Sequence, residues 1–224
     1  MTFSIAGRCA RTGRFGIAVS SSSPAVAARC APARAGAGAV ASQNITDPAL
    51  GPKLLAALAA GERAEEAMKT AVRDAPFIEY RQVTVVDRTG GTAFHNGAHV
   101  LGTNKVVQIQ DAIAAGNLLS SPTVPDAMVA AFAADPNLDI GDRLVAAMQA
   151  GLVAGGEEGP VHSAGMVIVD QVAWPVTDLR VDWSEDPIGQ LAALWRLWRP
   201  QEAAYLQRVL DPTIAPSYGV PGDR

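Results

Sequence analysis

Thr2 is the residue of this chain whose type and place could do chemistry unaided. If Met1 is removed, Thr2 becomes an amino-terminal residue. Its α-amine, with an ordinary pKa near ~8, is then basic enough to take the proton of its own hydroxyl. The chemistry open to such a residue is attack on an acyl carbon, provided donors wait for the oxyanion that forms. The residues that follow supply a setting. Phe3 and Ile5 alternate with Ser4 and Ala6 as in a strand, Arg11-Thr12-Gly13-Arg14 turns, and Phe15 to Ser20 returns. The segment from Thr2 to Ser23 therefore reads as a hairpin. Ser20 and Ser21, at the end of the returning strand, are expected near Thr2 and able to orient it. Gln43, Asn44 and Asn117 are carboxamides at bends between strand and helix, where substrates are commonly met. Asparagine also suits such bends for its tolerance of left-handed backbone.

Other reactive residues form weaker patterns. No G-x-S-x-G elbow surrounds any serine. His162 and Ser163 are neighbours on a strand and so point to opposite faces. His95 and His99 have a helical ligand spacing, but Asn96-Gly97 between them is a turn signal, so no metal site is expected. A metal-dependent hydrolase using His95, His99 and His162 is a third-ranked reading. Gly36-Ala37-Gly38 lacks the strand before it and the helix after it that a dinucleotide loop needs, and no cofactor is expected. Asp178, Arg180 and Asp182 share one strand face, either solvated and ion-paired or turned to a ligand. Cys9 and Cys30 read as buried, reduced thiols.

The elements that must position Thr2 follow from period and punctuation. The chain has 224 residues, 49% hydrophobic and 18% charged, enough apolar content for one large core. A net charge of -4 without basic runs argues against nucleic acid as a partner, and no apolar run approaches membrane-spanning length. A soluble, cytoplasmic protein with a small-molecule substrate or ligand is expected. Gly36 to Ser42 reads as a buried strand. Asp47-Pro48 opens a helix that Gly61 stops, and a second helix runs from about Ala64 to Asp74. From Arg81 the period returns to two through RQVTVVD, TAFHNGAHVLG and KVVQIQ. Pro125-Asp126 opens a helix to Ala134, Asp139 a longer one to about Ala154, and strands follow at Ser163 to Asp170 and Asp178 to Asp182. Helices carrying Trp195 and Trp198 fill Ile188 to Leu210. This order is α+β, with residues 1–211 as a single domain and 212–224 as an irregular arm. The tryptophan-bearing helices and the proline-rich arm offer apolar surface for a second subunit, and a homodimer is expected.

The stretches MTFSIAGR, GIAVSSSSPAVAARCAPARAGAGAVASQN, DPALGPKLLAAL, RQVTVVDRTGGTAFHNGA, AAGNLL and DLRVDWSEDPI resemble, in that order, the DUF1028 family from Thr2 to roughly Trp198. The resemblance implies a fold similar to the N-terminal nucleophile (Ntn) hydrolases, a four-layer αββα sandwich with two antiparallel sheets between helices. It also implies a nucleophile at Thr2 that cleaves an amide through an acyl-enzyme. Two features depart from relatives. Proteasome-like members place a lysine soon after the first hairpin, whereas the first lysine here is Lys53, leaving Arg29 or Arg34 as substitutes. Many relatives carry an Arg-Gly pair and a glutamine where this chain reads Glu157-Glu158-Gly159-Pro160-Val161-His162. The leading expectation is an amidohydrolase acting on a small amide, ureido or acylamino compound. The alternative is a non-catalytic small-molecule-binding protein of the same fold.

Overall fold

The computed structural model describes residues 1–222. The opening hairpin forms as β1 (Thr2–Arg8) and β2 (Phe15–Ser21), with Phe3 opposite Ser20 and Arg8 opposite Phe15. A short helix α1 (Ala27–Cys30) and a two-residue strand β3 (Ala33–Arg34) lead to β4 (Gly38–Asn44). Helices α2 (Leu50–Ala59) and α3 (Ala64–Arg73) precede four strands: β5 (Arg81–Asp87), β6 (Thr92–Asn96), β7 (Lys105–Ile109) and β8 (Ala112–Asn117). Then come α4 (Val124–Ala133), α5 (Ile140–Val153), β9 (Ser163–Val169), β10 (Thr177–Val181), α6 (Pro187–Trp198) and α7 (Glu202–Leu210).

Two antiparallel sheets result. The larger has the order β10-β9-β2-β1-β8-β7 and the smaller β3-β4-β5-β6. The strand that begins with Thr2 is therefore an inner strand, paired on both sides. Its alternation decides which layer each side chain enters. Phe3 and Ile5 pack with Met128, Phe132, Leu144 and Met148 of α4 and α5. Ala6 joins Phe15, Ile17, Val19, Ala39, Ala41 and Val86 between the two sheets. A third core lies between the smaller sheet and its helices, where Val40, Val83 and Val85 meet Leu54, Leu58 and Met68. The layers thus run helices, larger sheet, smaller sheet, helices. One glycine permits the close approach of α4: a Cβ on Gly7 would stand 2.4 Å from Cζ of Phe132.

Several element boundaries move from the sequence reading, for local reasons. The first long helix starts at Leu50 because the Asp47 carboxylate accepts the Ala49 N–H at 3.0 Å, turning the chain before the helix begins. The strand expected over Gly36 to Ser42 runs two residues later. The run TAFHNGAHVLG does not continue as strand past Asn96, since Gly97 N–H returns to the Arg81 carbonyl and Val100 N–H to that of Gly97. Asp139 caps α5 as its position suggests, accepting the Gly141 N–H at 2.8 Å. Arg14 of the hairpin turn ties the carboxyl-terminal helices to the body through Asp139 at 3.1 Å and Glu202 at 2.5 Å. Arg208 of α7 donates to the carbonyls of Pro216 and Ser217 in the arm; Asp223 and Arg224 lie outside the described residues. Among the described residues no helix is long and apolar enough to cross a membrane.

Candidate functional site

Thr2 is 5% exposed, at the head of β1. Asn117 of β8 is its register partner on one side, and the end of β2 lies on the other. Thr2 Oγ1 donates to the Met1 carbonyl and lies 3.4 Å from Ser21 Oγ. Ser21 Oγ donates to the same carbonyl and accepts the Ser23 N–H at 3.0 Å. Two buried hydroxyls therefore converge on the carbonyl of the bond that precedes Thr2.

Below this pair a ladder of side chains connects the two sheets. Ser4 Oγ donates to Gln43 Oε1 at 2.7 Å, and Gln43 Nε2 donates to Gln82 Oε1 at 2.7 Å. Asn117 Nδ2 donates to the same Gln82 oxygen at 3.2 Å. Gln82 Nε2 in turn donates to the Gly116 carbonyl at 3.0 Å and to Asn96 Oδ1 at 2.8 Å. A backbone carbonyl can only accept, so Gly116 settles which way the Gln82 amide faces, and the rest of the ladder follows. Asn117 must then turn its nitrogen to Gln82. Its Oδ1 is left buried with no partner among the described residues.

Glu157 is the other polar group here. The chain leaves α5 through Gly155 and Gly156, both with positive φ, and folds back so that Glu157 bridges Leu119, two residues past Asn117. Glu157 is 4% exposed; Oε2 accepts the Ser22 N–H at 3.2 Å, and Oε1 has no partner among the described residues. Burial pushes its carboxyl up to about 7, opposed by the charge of the chain's amino terminus and by hydrogen bonds from Ser22. A raised carboxyl favours the fold while protonated. That contribution is complete below the unfolded value near 4.5 and is lost as pH rises through about 7. Glu157→Gln, which cannot ionise, is therefore expected to gain on the unsubstituted protein by on the order of 2–3 kcal/mol between about pH 5 and 8. Urea unfolding at the two pH values measures this, and a difference that does not change with pH would contradict it.

The structure separates the residues singled out in the sequence. Thr2, Ser21, Gln43 and Asn117 come together. Ser20 does not: as the partner of Phe3 it faces the helical layer, where its hydroxyl donates to the Ser163 carbonyl at 2.9 Å. Asn44 also stands apart, with φ 72°, its amide donating to the Tyr80 carbonyl at 2.7 Å and accepting the Leu101 N–H at 3.2 Å. It joins loops at the rim. His95 lies against the Ile78 carbonyl, His99 on Tyr80, and His162 is stacked on Trp183. No cluster of three or more potential metal ligands occurs among the described residues. Asp178 and Arg180 are exposed and paired at 2.8 Å, and Cys9 and Cys30 are buried free thiols. Lys53 donates to the Ala71 carbonyl in the outer helices, while Arg29 is spent on the carbonyls of Pro24 and Ala25.

Gln82 and Glu157 were missed as site residues from sequence. Gln82 had a signal: in RQVTVVD it is a long polar side chain sharing a buried strand face with Thr84 and Val86. Glu157 had one only in its departure from relatives.

A family of unknown function, DUF1028, matches residues 2–191. The crystal structure of a protein from Silicibacter pomeroyi, assigned to DUF1028, is 30% identical and superposes with a TM-score of 0.80 over 88% of each chain. Anbu (ancestral beta-subunit) from Yersinia bercovieri aligns over 97% of this chain and 100% of its own. At 11% identity and a TM-score of 0.40, that likeness bears on neither fold nor function. No curated protein matches the chain. With the family match spanning most of the sequence and a relative at this identity aligned over nearly the whole fold, the chain belongs to DUF1028, a family of unknown function.

Proposed function

We propose that this protein is an amidohydrolase of the N-terminal nucleophile type, acting on a small amide, ureido or acylamino compound, with Thr2 as nucleophile and base. The observation that carries the reading is the buried Thr2 hydroxyl at the head of a central strand. Together with Ser21 Oγ it already grips the carbonyl of the bond that must be cut to free the Thr2 amine. The layer order, with the helix-flanked sheets stacked face to face, is the arrangement expected of an Ntn hydrolase.

Once the Met1–Thr2 bond is cleaved, the freed amine takes the Thr2 hydroxyl proton, and Oγ1 attacks the substrate carbonyl. The Ser21 hydroxyl, which now donates to the Met1 carbonyl, is placed to donate to the oxyanion. The amine then returns its proton to the leaving nitrogen, and water splits the ester. Asn117 is held with its nitrogen on Gln82, so toward Thr2 it acts as an acceptor and orienting group. Gln43 steadies the ladder from the second sheet.

The absence of any lysine contact to this pair among the described residues favours one second reading, a small-molecule-binding protein with an uncut terminus. The intact mass of untagged protein separates the two. A mass for a chain starting at Thr2, with turnover in a panel of small amides, is the expected result. Met1 retained in essentially all molecules would sink the hydrolase.

A further inference from the structure

Glu157 is a buried carboxylate that the hydrolytic steps leave unused. Three observations set it at the head of β1. It bridges Leu119, two residues beyond the register partner of Thr2. It accepts the N–H of Ser22, which follows Ser21 in the chain. Its loop lies against Met1, since a Cβ on Gly159 would stand 3.8 Å from the Met1 Cε. An ionised carboxylate at 4% exposure with one oxygen unpartnered is costly unless a cation meets it. The one charge that opposes the upward shift of its pKa is the chain's own amino terminus. Met1 is in chemical terms an α-aminoacyl group. Its carbonyl is held by the two hydroxyls, and its ammonium supplies the charge that the carboxylate feels.

We propose that Glu157 binds a cationic amine on the acyl part of the substrate, so that the site takes α-aminoacyl amides in the place that Met1 fills. This rests on the reading of Thr2 as nucleophile, which sets where the acyl carbon lies. Asn117 Oδ1, buried and without a partner among the described residues, is a second acceptor available to the same donor-rich group. A neutral acyl amide would bring no donor to Glu157 Oε1, which has no partner among the described residues, and sites built around such a group discriminate against ligands that leave it unpaired.

The test uses the chain beginning at residue 2, carrying Thr2→Ala so that nothing is consumed. It is titrated calorimetrically with L-alaninamide and with isobutyramide, in which a methyl replaces the ammonium. L-alaninamide is expected to bind at least about tenfold tighter, and Glu157→Gln to bring the ratio to about one. Equal affinities, no binding of L-alaninamide, or a preference that survives Glu157→Gln would each overturn the proposal. Turnover by the chain with Thr2 intact is read separately. L-alaninamide bound with this preference but not hydrolysed would remove the nucleophile and leave the subsite. Isobutyramide hydrolysed as well as L-alaninamide would do the reverse.

Discussion

Thr2→Ala is expected to lower kcat/KM for amide hydrolysis at least about a thousandfold, because it removes the one hydroxyl that carries its own base. Ser21 lies 3.4 Å away but has no free amine, and the neighbouring His162 meets it only through its backbone N–H, its ring being stacked on Trp183. Thr2→Ser keeps both the oxygen and the amine and should retain measurable turnover. Stability should separate this loss from misfolding. The hydroxyl's bond to the Met1 carbonyl disappears once Met1 leaves, so only the long contact to Ser21 remains to be lost. That is worth less than about 1 kcal/mol. Unfolding midpoints of Thr2→Ala and the unsubstituted chain should therefore nearly coincide while their kcat/KM values do not. Full activity in Thr2→Ala would end the proposed mechanism.

Gln82→Leu should destabilise the fold by roughly 3–5 kcal/mol, more than any other single change in the amide ladder. Gln82 is fully buried and serves four groups: it donates to the Gly116 carbonyl and Asn96 Oδ1 and accepts from Gln43 and Asn117. Leucine fills the space but strands most of these donors and acceptors between two sheets, out of reach of water. Ser4→Ala, at the far end, removes only the bond to Gln43 Oε1 and should cost about 1 kcal/mol. Denaturant unfolding of both variants checks the ranking. Comparable losses would mean that the ladder does not act as a connected unit. Because Gln82 also turns Asn117, its loss should reduce turnover in whatever fraction still folds.

Local features of the site were legible because they depend on neighbours in the chain. The hairpin, the Asp139 cap of α5 and the return to period two at Arg81 appear in the structure where the sequence pattern places them. The choice between Ser20 and Ser21 was not legible. Their side chains alternate, and only the pairing of Phe3 with Ser20 decides that Ser21 stands beside Thr2. The same parity separates Gln43, turned between the sheets, from Asn44, taken into the rim by its left-handed backbone.

The amino-acid sequence by itself determined the α+β element order, the hairpin that begins at Thr2, and the hydroxyl and carboxamide side chains available to it. Those properties follow from periodicity and turn chemistry within about ten residues. The tertiary structure decided which of them meet. Ser4 reaches Gln43 across 39 positions, and Ser22 reaches Glu157 across 135, through contacts that exist only when the sheets stack and the loop after α5 folds back. Burial then changes the chemistry of what it encloses: a glutamate of ordinary sequence becomes, once desolvated with one oxygen unpartnered, a carboxyl pushed up to about 7 beside the proposed nucleophile.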